Sequence, residues 1–557
     1  MKRRSFFGGI ASAGLLPAAI REKPKLGLHR NLFTGDSCVY FYNPELFQPE
    51  GLPYTAKALH RYVDLLADNG VDTFLSNPNA SVAWYPSKKL QTVIDGYKRG
   101  DRNFFRGHAE ATHVPPEQLD EFLDHMVNFF NLYLDLADAG VDWLAETTKA
   151  CRRRKISPWV SIRMNDTHGV ENPEGSHFNC ALVKKKEFRL SGVLPDPSAG
   201  TNAHWMALNY DKQEVRDFTF SHIRESVQDY DFEGLELDWL RDPHCCEPGA
   251  TQAQADKITG WIGEVRALTE AQGRKMGKPY PMGMRIPGNL GYLRSRGLDV
   301  KAIVKAGYVD FLGFSNHWQT TWDMPYDELR RELGPDVAFY GVVEDAPNWI
   351  PGYSPKLASQ GTRYMASSPP MQHANAAGKL AMGVHGIEQF NFFCTDQPKT
   401  PGLRADYTAL RGTHDLAFLR GKPKHYCLST PSGRASAAWE LPEQLPAVID
   451  SKGRRQFRLS MCTEPAGMKL VAQVVVEKPL GDVRLGVSVN GRWPVFESRR
   501  TQEMLYPVGP YTQHIPENAA YNFVVNAADL KDGWNTFTVS NSAAAVKAVS
   551  LEIGVFA

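Results

Sequence analysis

The stretch 229-DYDFEGLELDWLRDP-243 sets Leu235, Leu237 and Trp239 in alternation with Glu236 and Asp238. Side chains of a strand alternate between its two faces, so one face here is apolar and the other carries two acids side by side. In a closed barrel the apolar face meets surrounding helices and the acidic face points inside. Two other stretches repeat the arrangement. In 157-SPWVSIRMND-166, Val160, Ile162 and Met164 oppose Ser161, Arg163 and Asn165, and in 280-YPMGMRIP-287, Met282, Met284 and Ile286 oppose Gly283 and Arg285. Three strands thus aim polar groups inward near their C-terminal ends, where active sites of barrels of this kind lie.

Outward from that stretch, short apolar segments alternate with amphipathic ones from about residue 36 to 395. The strands expected are SCVYFYN (37–43), VDTFLSNPN (71–79), SPWVSIRMND, FEGLELDW (232–239), YPMGMRIP, VDFLGFSNHW (309–318), VAFYGVVED (337–345) and GIEQFNFF (386–393). Segments such as 119-LDEFLDHMVNFFNLYLDLADAG-140 and 254-QADKITGWIGEVRALTEAQ-272 carry apolar residues at three- and four-residue spacing, as helices packed on a sheet require. The expected fold is α/β, a (β/α)8 TIM barrel over residues 30–420. An open doubly wound sheet would place a glycine-rich phosphate turn after its first strand, and YNPELFQPEG stands there instead. After LRGKPKHYC the helical patterns give way to short strands and NG and KDG turns, so residues 425–557 read as a β-sandwich.

The 557 residues are 42% hydrophobic and 22% charged, with 63 basic and 62 acidic side chains. That balance gives no field to hold nucleic acid, and none is expected as a partner. The opening MKRRSFFGGIASAGLLPAAI pairs Arg3 and Arg4 with a short Gly/Ala-rich apolar run, which reads as a twin-arginine-type signal over residues 1–22 and implies a periplasmic or extracellular location. No stretch is long and apolar enough for stable membrane insertion. Eight cysteines without a CxxC pair suggest neither a disulfide scaffold nor a zinc ribbon, and the adjacent Cys245 and Cys246 read as structural.

Glycoside hydrolysis needs two carboxyl groups across a sugar-sized gap, one protonating the leaving oxygen and the other attacking the anomeric carbon or activating water. Asp238, ending strand four, and Glu344, ending strand seven, are the expected pair, with Glu236 one inward position deeper to tune Asp238 or hold a hydroxyl. If Gly341 and Val343 face inward, Asp345 takes the place of Glu344. The opposing reading is a satisfied polar layer in which Arg163 and Arg285 neutralise Glu236 and Asp238. Substrate contacts are expected from Arg163, Asn165, Asp166, His168, Arg241, Arg285, Asn316, His317, Trp318, Asp345 and Asn391. Trp239, Trp318, Trp322, Trp349 and Tyr353 offer rings for sugar faces, and the three arginines with His168 and His317 suit a carboxylated or sulfated sugar. No cofactor and no metal are expected.

At FEGLELDWLRDP the chain resembles the (β/α)8 glycoside hydrolases, particularly the family 10-like glycosyl hydrolase group. That resemblance implies an export signal, a barrel with an acidic strand-four motif, a C-terminal β-sandwich and a polysaccharide or oligosaccharide substrate. Related patterns fail at informative positions. The chitinase-type DGxDxDxE motif would put its catalytic Glu at Leu240, and the α-galactosidase-type YLKxD strand, aligned on Asp238, would put its Lys at Glu236. Of the large retaining clan, whose strand-four Asn-Glu pair is absent, only the roles transfer, to Asp238 and Glu344. Two alternatives stand beside this reading. A metal-dependent hydrolase is suggested by NDTHG, with Asp166 and His168, together with His204, His244 and His317, although no HxH or HExxH element occurs. A non-catalytic carbohydrate-binding barrel is suggested by Leu240.

Overall fold

The computed structural model describes residues 26–170, 172–191, 206–317, 320–344, 368–390, 392, 405–429, 439–477, 482–493, 499–501, 503–508, 512–514 and 519–556. Eight parallel strands close a barrel in chain order: β1 (Asn31–Asp36), β2 (Thr73–Asn77), β3 (Ser157–Arg163), β4 (Leu235–Asp238), β5 (Met282–Ile286), β6 (Phe311–Phe314), β7 (Ala338–Glu344) and β8 (Gly386–Phe390). Closure is made by β8 against β1, where Leu32 pairs with Glu388 and Phe33 with Gln389.

The first strand is 31-NLFTGD-36 and not 37-SCVYFYN-43, in which Val39–Phe41 form a 3-10 turn. The apolar run at 39–41 comes from a loop buried against the helix Leu119–Asp138, with the Phe41 and Tyr133 rings 4.4 Å apart. The true strand carries polar residues on its inner face, and so lacks the apolar run that advertises a strand.

The barrel is plugged at its N-terminal end by Leu32, Leu75, Trp159, Phe311 and Tyr340. Trp159 and Tyr340 each lie 5.4 Å, centroid to centroid, from Phe311. Two glycines make room for this plug. A Cβ at Gly234 would fall 2.5 Å from the Trp159 ring, and one at Gly283 2.4 Å from that of Phe311. On the outer face, Leu235, Leu237 and Trp239 are fully buried under the helices. Such burial contributes about 1.5–3 kcal/mol per large apolar side chain. The helix Gln252–Met276 on this side starts with a reciprocal capping box between Thr251 and Gln254 and stops at Gly277, whose φ of 69° only glycine adopts freely. No helix among the described residues is long and apolar enough to cross a membrane, and the signal-like residues 1–22 lie outside them.

The C-terminal strands are β9 (Lys424–Ser429), β10 (Ala447–Ile449), β11 (Arg454–Met461), β12 (Lys469–Val476), β13 (Leu485–Val489), β14 (Arg499–Thr501), β15 (Glu503–Val508), β16 (Thr512–His514), β17 (Ala519–Val525), β18 (Gly533–Asn541) and β19 (Val546–Phe556). One sheet runs β10-β19-β12-β17-β14, with β9 also paired to β19, and a second runs β11-β18-β13. Together they form a sandwich around Leu459, Val474, Phe523, Phe537 and Ile553. The NG turn is present, with Asn490 at φ 51° and Gly491 at φ 81°, the positive pair that a tight hairpin turn demands.

The sandwich is fixed to the barrel. The helix Pro369–Ala381 lies against β9 and β11 so closely that a Cβ on Gly378 would come within 2.4 Å of the Ser460 carbonyl oxygen. Gln444 donates to Asp323 at 2.8 Å and Trp534 to Asp327 at 3.0 Å across the same junction.

Candidate active site

Strand register builds the site. Arg163 pairs with Asp238, and Asp238 with Arg285, across β3, β4 and β5, so charges of alternating sign stand at one level near the C-terminal mouth. Parity in β7 is settled by Gly341. Its Cβ position is 2.8 Å from the Lys379 side chain on the helix Pro369–Ala381, so positions 341 and 343 face the helices and Val342 and Glu344 face the interior. Lys379 is wholly buried there, donating to Thr321 O and Val342 O, and burial draws its pKa down to about 7.

The upper interior holds two ion clusters. In the first, Arg285 donates through Nη2 to Asp238 Oδ2 at 2.8 Å and through Nη1 to Glu344 Oε1 at 3.3 Å. All three side chains are at most 1% exposed. Asp238 also accepts the Leu240 N–H at 3.0 Å, Ser315 Oγ lies 3.4 Å from Glu344 Oε1, and the guanidinium sits 3.3 Å from the centroid of Phe390. Burial disfavours the Arg285 charge, but Asp238, Glu344 and Glu388 more than offset it, and its pKa is raised.

In the second cluster Arg163 binds Asp36 at 2.6 Å and Asp166 at 3.2 Å while lying 4.6 Å over the Trp84 ring. Asp166 reaches His168 Nδ1 at 2.6 Å, and His168 Nε2 stands 3.4 Å from Arg241. Burial pushes the Asp166 carboxyl up, yet His168 and the arginines hold it well below the usual carboxylate range. Burial and the Arg163 charge draw Arg241 down to about 10. The His168 side chain is 41% exposed, which makes it the water-facing member of this cluster.

One level deeper, Glu236 accepts from Ser161 Oγ and Glu388 from Thr34 Oγ1, each at 2.8 Å, and the second carboxyl oxygen of each is buried without a hydrogen-bond partner among the described residues. Both are fully buried. Burial first, then mutual repulsion, pushes Glu236 well above the carboxylate range, and burial raises Glu388 to about 7. The folded state therefore keeps protons that the unfolded chain gives up above about pH 4.5, so their contribution is full at low pH and declines as pH rises toward about 7. Each retained proton contributes a slope of about 1.4 kcal/mol per pH unit. Urea unfolding from pH 4.5 to 7.5 is expected to show a shallower decline for the Glu236→Gln/Glu388→Gln double variant than for the wild type. Parallel curves would remove the account of retained protons on these two carboxyls.

No family model and no curated protein matches the sequence. Among solved structures, the PgaB (BpsB) glycoside hydrolase domain from Bordetella bronchiseptica aligns at 10% identity over 70% of this chain and 99% of its own, with a TM-score of 0.39. Alpha-L-fucosidase isoenzyme 1 from Paenibacillus thiaminolyticus aligns at 10% identity over 93% of this chain and 97% of its own, with a TM-score of 0.36. A cycloisomaltooligosaccharide glucanotransferase from Paenibacillus sp. aligns at 9% identity over 95% of this chain, which spans 58% of that protein, with a TM-score of 0.32.

The structure brings together Asp238, Glu344, Arg285, Glu236, Arg163, Asp166, His168 and Arg241. The satisfied-layer reading holds for one of its two acids: Arg285 neutralises Asp238, together with Glu344, whereas Arg163 pairs with Asp36 and Asp166, and Glu236 is bound by Ser161. Asn165 is a brace, its amide bonded to the backbone of Leu208 and His244. Asn316 and His317 lie buried at the rim, their N–H groups held by Thr321 Oγ1 and Glu440. Trp239 packs outward on Tyr210, and Trp322 packs into the sandwich core, so neither ring faces the mouth. Trp318, Asp345, Asn391, Trp349, Tyr353 and His204 lie outside the described residues.

Residues missed from the sequence are Asp36, Glu388 and a segment entering the sandwich. Trp439 is fully buried, its ring 5.0 Å from that of His244 and 6.2 Å from that of His317. Glu440 accepts the His317 N–H at 2.9 Å through its side chain and the Asn289 amide at 3.2 Å through its carbonyl. The sandwich's own leading segment thus ties together the loops that follow β5 and β6. Glu440→Ala strands a buried N–H, which costs about 1–3 kcal/mol, and equilibrium unfolding is expected to show that loss. No change would mean that the rim is held by other contacts.

Proposed function

We propose that the chain is a glycoside hydrolase acting on a polysaccharide or oligosaccharide outside the cytoplasm, with Asp238 and Glu344 as its carboxyl pair. The observation that carries this is the convergence of two buried carboxyls, from the ends of β4 and β7, on the single guanidinium of Arg285. Asp238 has the shorter bond to Arg285 and accepts a backbone N–H besides, two donors that stay fixed on its carboxylate oxygens. It is therefore assigned as nucleophile or base. Glu344, bound at 3.3 Å, is the proton carrier that the leaving oxygen needs. His168, at the exposed end of the second cluster, marks the side from which a sugar would approach. The arginines are engaged by carboxylates, which weakens the expectation of an anionic sugar. The test is reducing-end release from neutral, uronic and sulfated polysaccharides, by the wild type and Asp238→Asn in parallel.

A second reading is a barrel that binds carbohydrate without cleaving it. It is favoured by the occupation of both carboxyls by Arg285 at 1% exposure or less. Binding without product release, unchanged in Asp238→Asn, would support it.

A further inference from the structure

The sandwich buries a group of ligating side chains remote from the barrel acids. His425 and Cys427 are two residues apart on β9 and so share a face, and Cys427 is buried in the sandwich core along with Tyr426 and Leu428. Across the ladder, Glu552 of β19 pairs directly with Cys427. One ligand atom from each of His425, Cys427 and Glu552 lies within 4.8 Å of the other two. The imidazole Nε2 of His425 is 2.6 Å from Glu552 Oε2, and Ser550 Oγ donates to the other carboxylate oxygen at 3.0 Å. Cys427 is fully buried, and the His425 and Glu552 side chains are 1% exposed.

We propose that His425, Cys427 and Glu552 bind one divalent cation of the zinc class, as a structural site that clamps β9 to β19. Three points support it. A donor set of imidazole nitrogen, thiolate sulfur and carboxylate oxygen suits zinc and its borderline-soft neighbours, whereas calcium and magnesium call for oxygen alone. Charge favours occupation, because a thiolate and a carboxylate cancel a divalent charge, leaving a neutral unit in a site closed to water. The scaffold is also suited, because two paired strands of one ladder fix all three ligands before any ion arrives. Binding displaces the thiol proton, and His425 must turn an Nε2 lone pair from Glu552 to the ion, with any proton on that nitrogen moving to Nδ1 or to solvent. Ser550 and Gln473, the latter paired with Glu552 from β12, place neutral oxygens on the same sheet face for the remaining tetrahedral position. The clamp has a mechanical role, since β9 is the strand on which the barrel helix Pro369–Ala381 packs.

The test uses the full-length protein under reducing conditions, unfolded in chelator and refolded with zinc, or with cobalt as a spectroscopic substitute. The expected result is about one equivalent of zinc retained through dialysis, with a thiolate-to-cobalt absorption band and a higher unfolding midpoint than the metal-free protein. Cys427→Ser is expected to lose the band and at least about tenfold in retained metal. Should Cys427→Ser fail to fold, Glu552→Gln, which preserves the side-chain shape, is expected to lose metal to a similar degree. Substoichiometric zinc in the refolded wild type overturns the site and leaves a buried ion pair. Zinc and a cobalt band undiminished in the variants overturn it too, assigning the metal to other cysteines. These readouts do not depend on hydrolysis of any sugar.

Discussion

Replacing Arg285 with methionine is expected to destabilise the fold by about 3–5 kcal/mol at neutral pH, the cost of leaving buried charges without their partner. One guanidinium serves both Asp238 and Glu344, and neither side chain exceeds 1% exposure. Without it, two carboxylates confront each other in a region that water does not relieve, and Glu236 and Glu388 lie one level below. Both upper carboxyls would then bind protons more tightly in the folded than in the unfolded state. The deficit should accordingly be small in acid and grow as pH rises beyond the ordinary carboxylate range. Urea denaturation of wild type and Arg285→Met across that range reads the effect directly. A double variant, Arg285→Met with Asp238→Asn, should regain part of the loss by removing one of the stranded charges. A uniform deficit at every pH would assign Arg285 to packing on Phe390 instead.

The second large effect is on turnover. Asp238→Asn and Glu344→Gln are each expected to lower kcat by at least about a hundredfold on any polysaccharide the wild type cleaves, as loss of a positioned acid, base or nucleophile does. The two should differ in character. If Glu344 is the proton carrier, Glu344→Gln should retain more activity on substrates with good leaving groups, such as aryl glycosides, because these need little protonation. Asp238→Asn should fail on both. Rates on paired activated and natural substrates, with circular dichroism confirming the fold, separate the assignments. The reverse pattern would exchange the roles, and full activity in both variants would move the chemistry elsewhere.

Much of the barrel was legible because its strands carry a binary pattern strong enough to read locally. In β3, β4 and β5 the alternation of apolar and charged residues gave both the faces and the charged level at the mouth. The same rule misled at β1. Apolar alternation fails in NLFTGD because Thr34 and Asp36 serve the interior, while the buried loop at Val39–Phe41 mimics a strand. Glu388 is readable in GIEQF, where it shares a face with Gly386 and Phe390, but it lies two positions below the strand end, where the fold rule for active sites does not point. The parity of β7 required a tertiary contact, Gly341 against Lys379, that no local pattern contains. Trp439 and Glu440 carried no signal at all. They meet His317 across more than a hundred residues of chain, and nothing in their own neighbourhood marks them as part of the barrel rim.

The pairing of β19 bears on how the protein is made. That strand lies between β12 and the two strands β9 and β10, yet it is the last of the sandwich to leave the ribosome. At about 5–20 residues per second, β9 waits roughly 6 to 25 seconds for its neighbour to be synthesised. During that interval the barrel can close on itself, but β9, β10 and β12 expose edges with no partner to cover them, and Trp439 precedes the fold that seats it. A nascent chain in this condition is a substrate for holdase chaperones, and a stall just short of residue 546 would release a finished barrel attached to an open, adhesive half-sandwich.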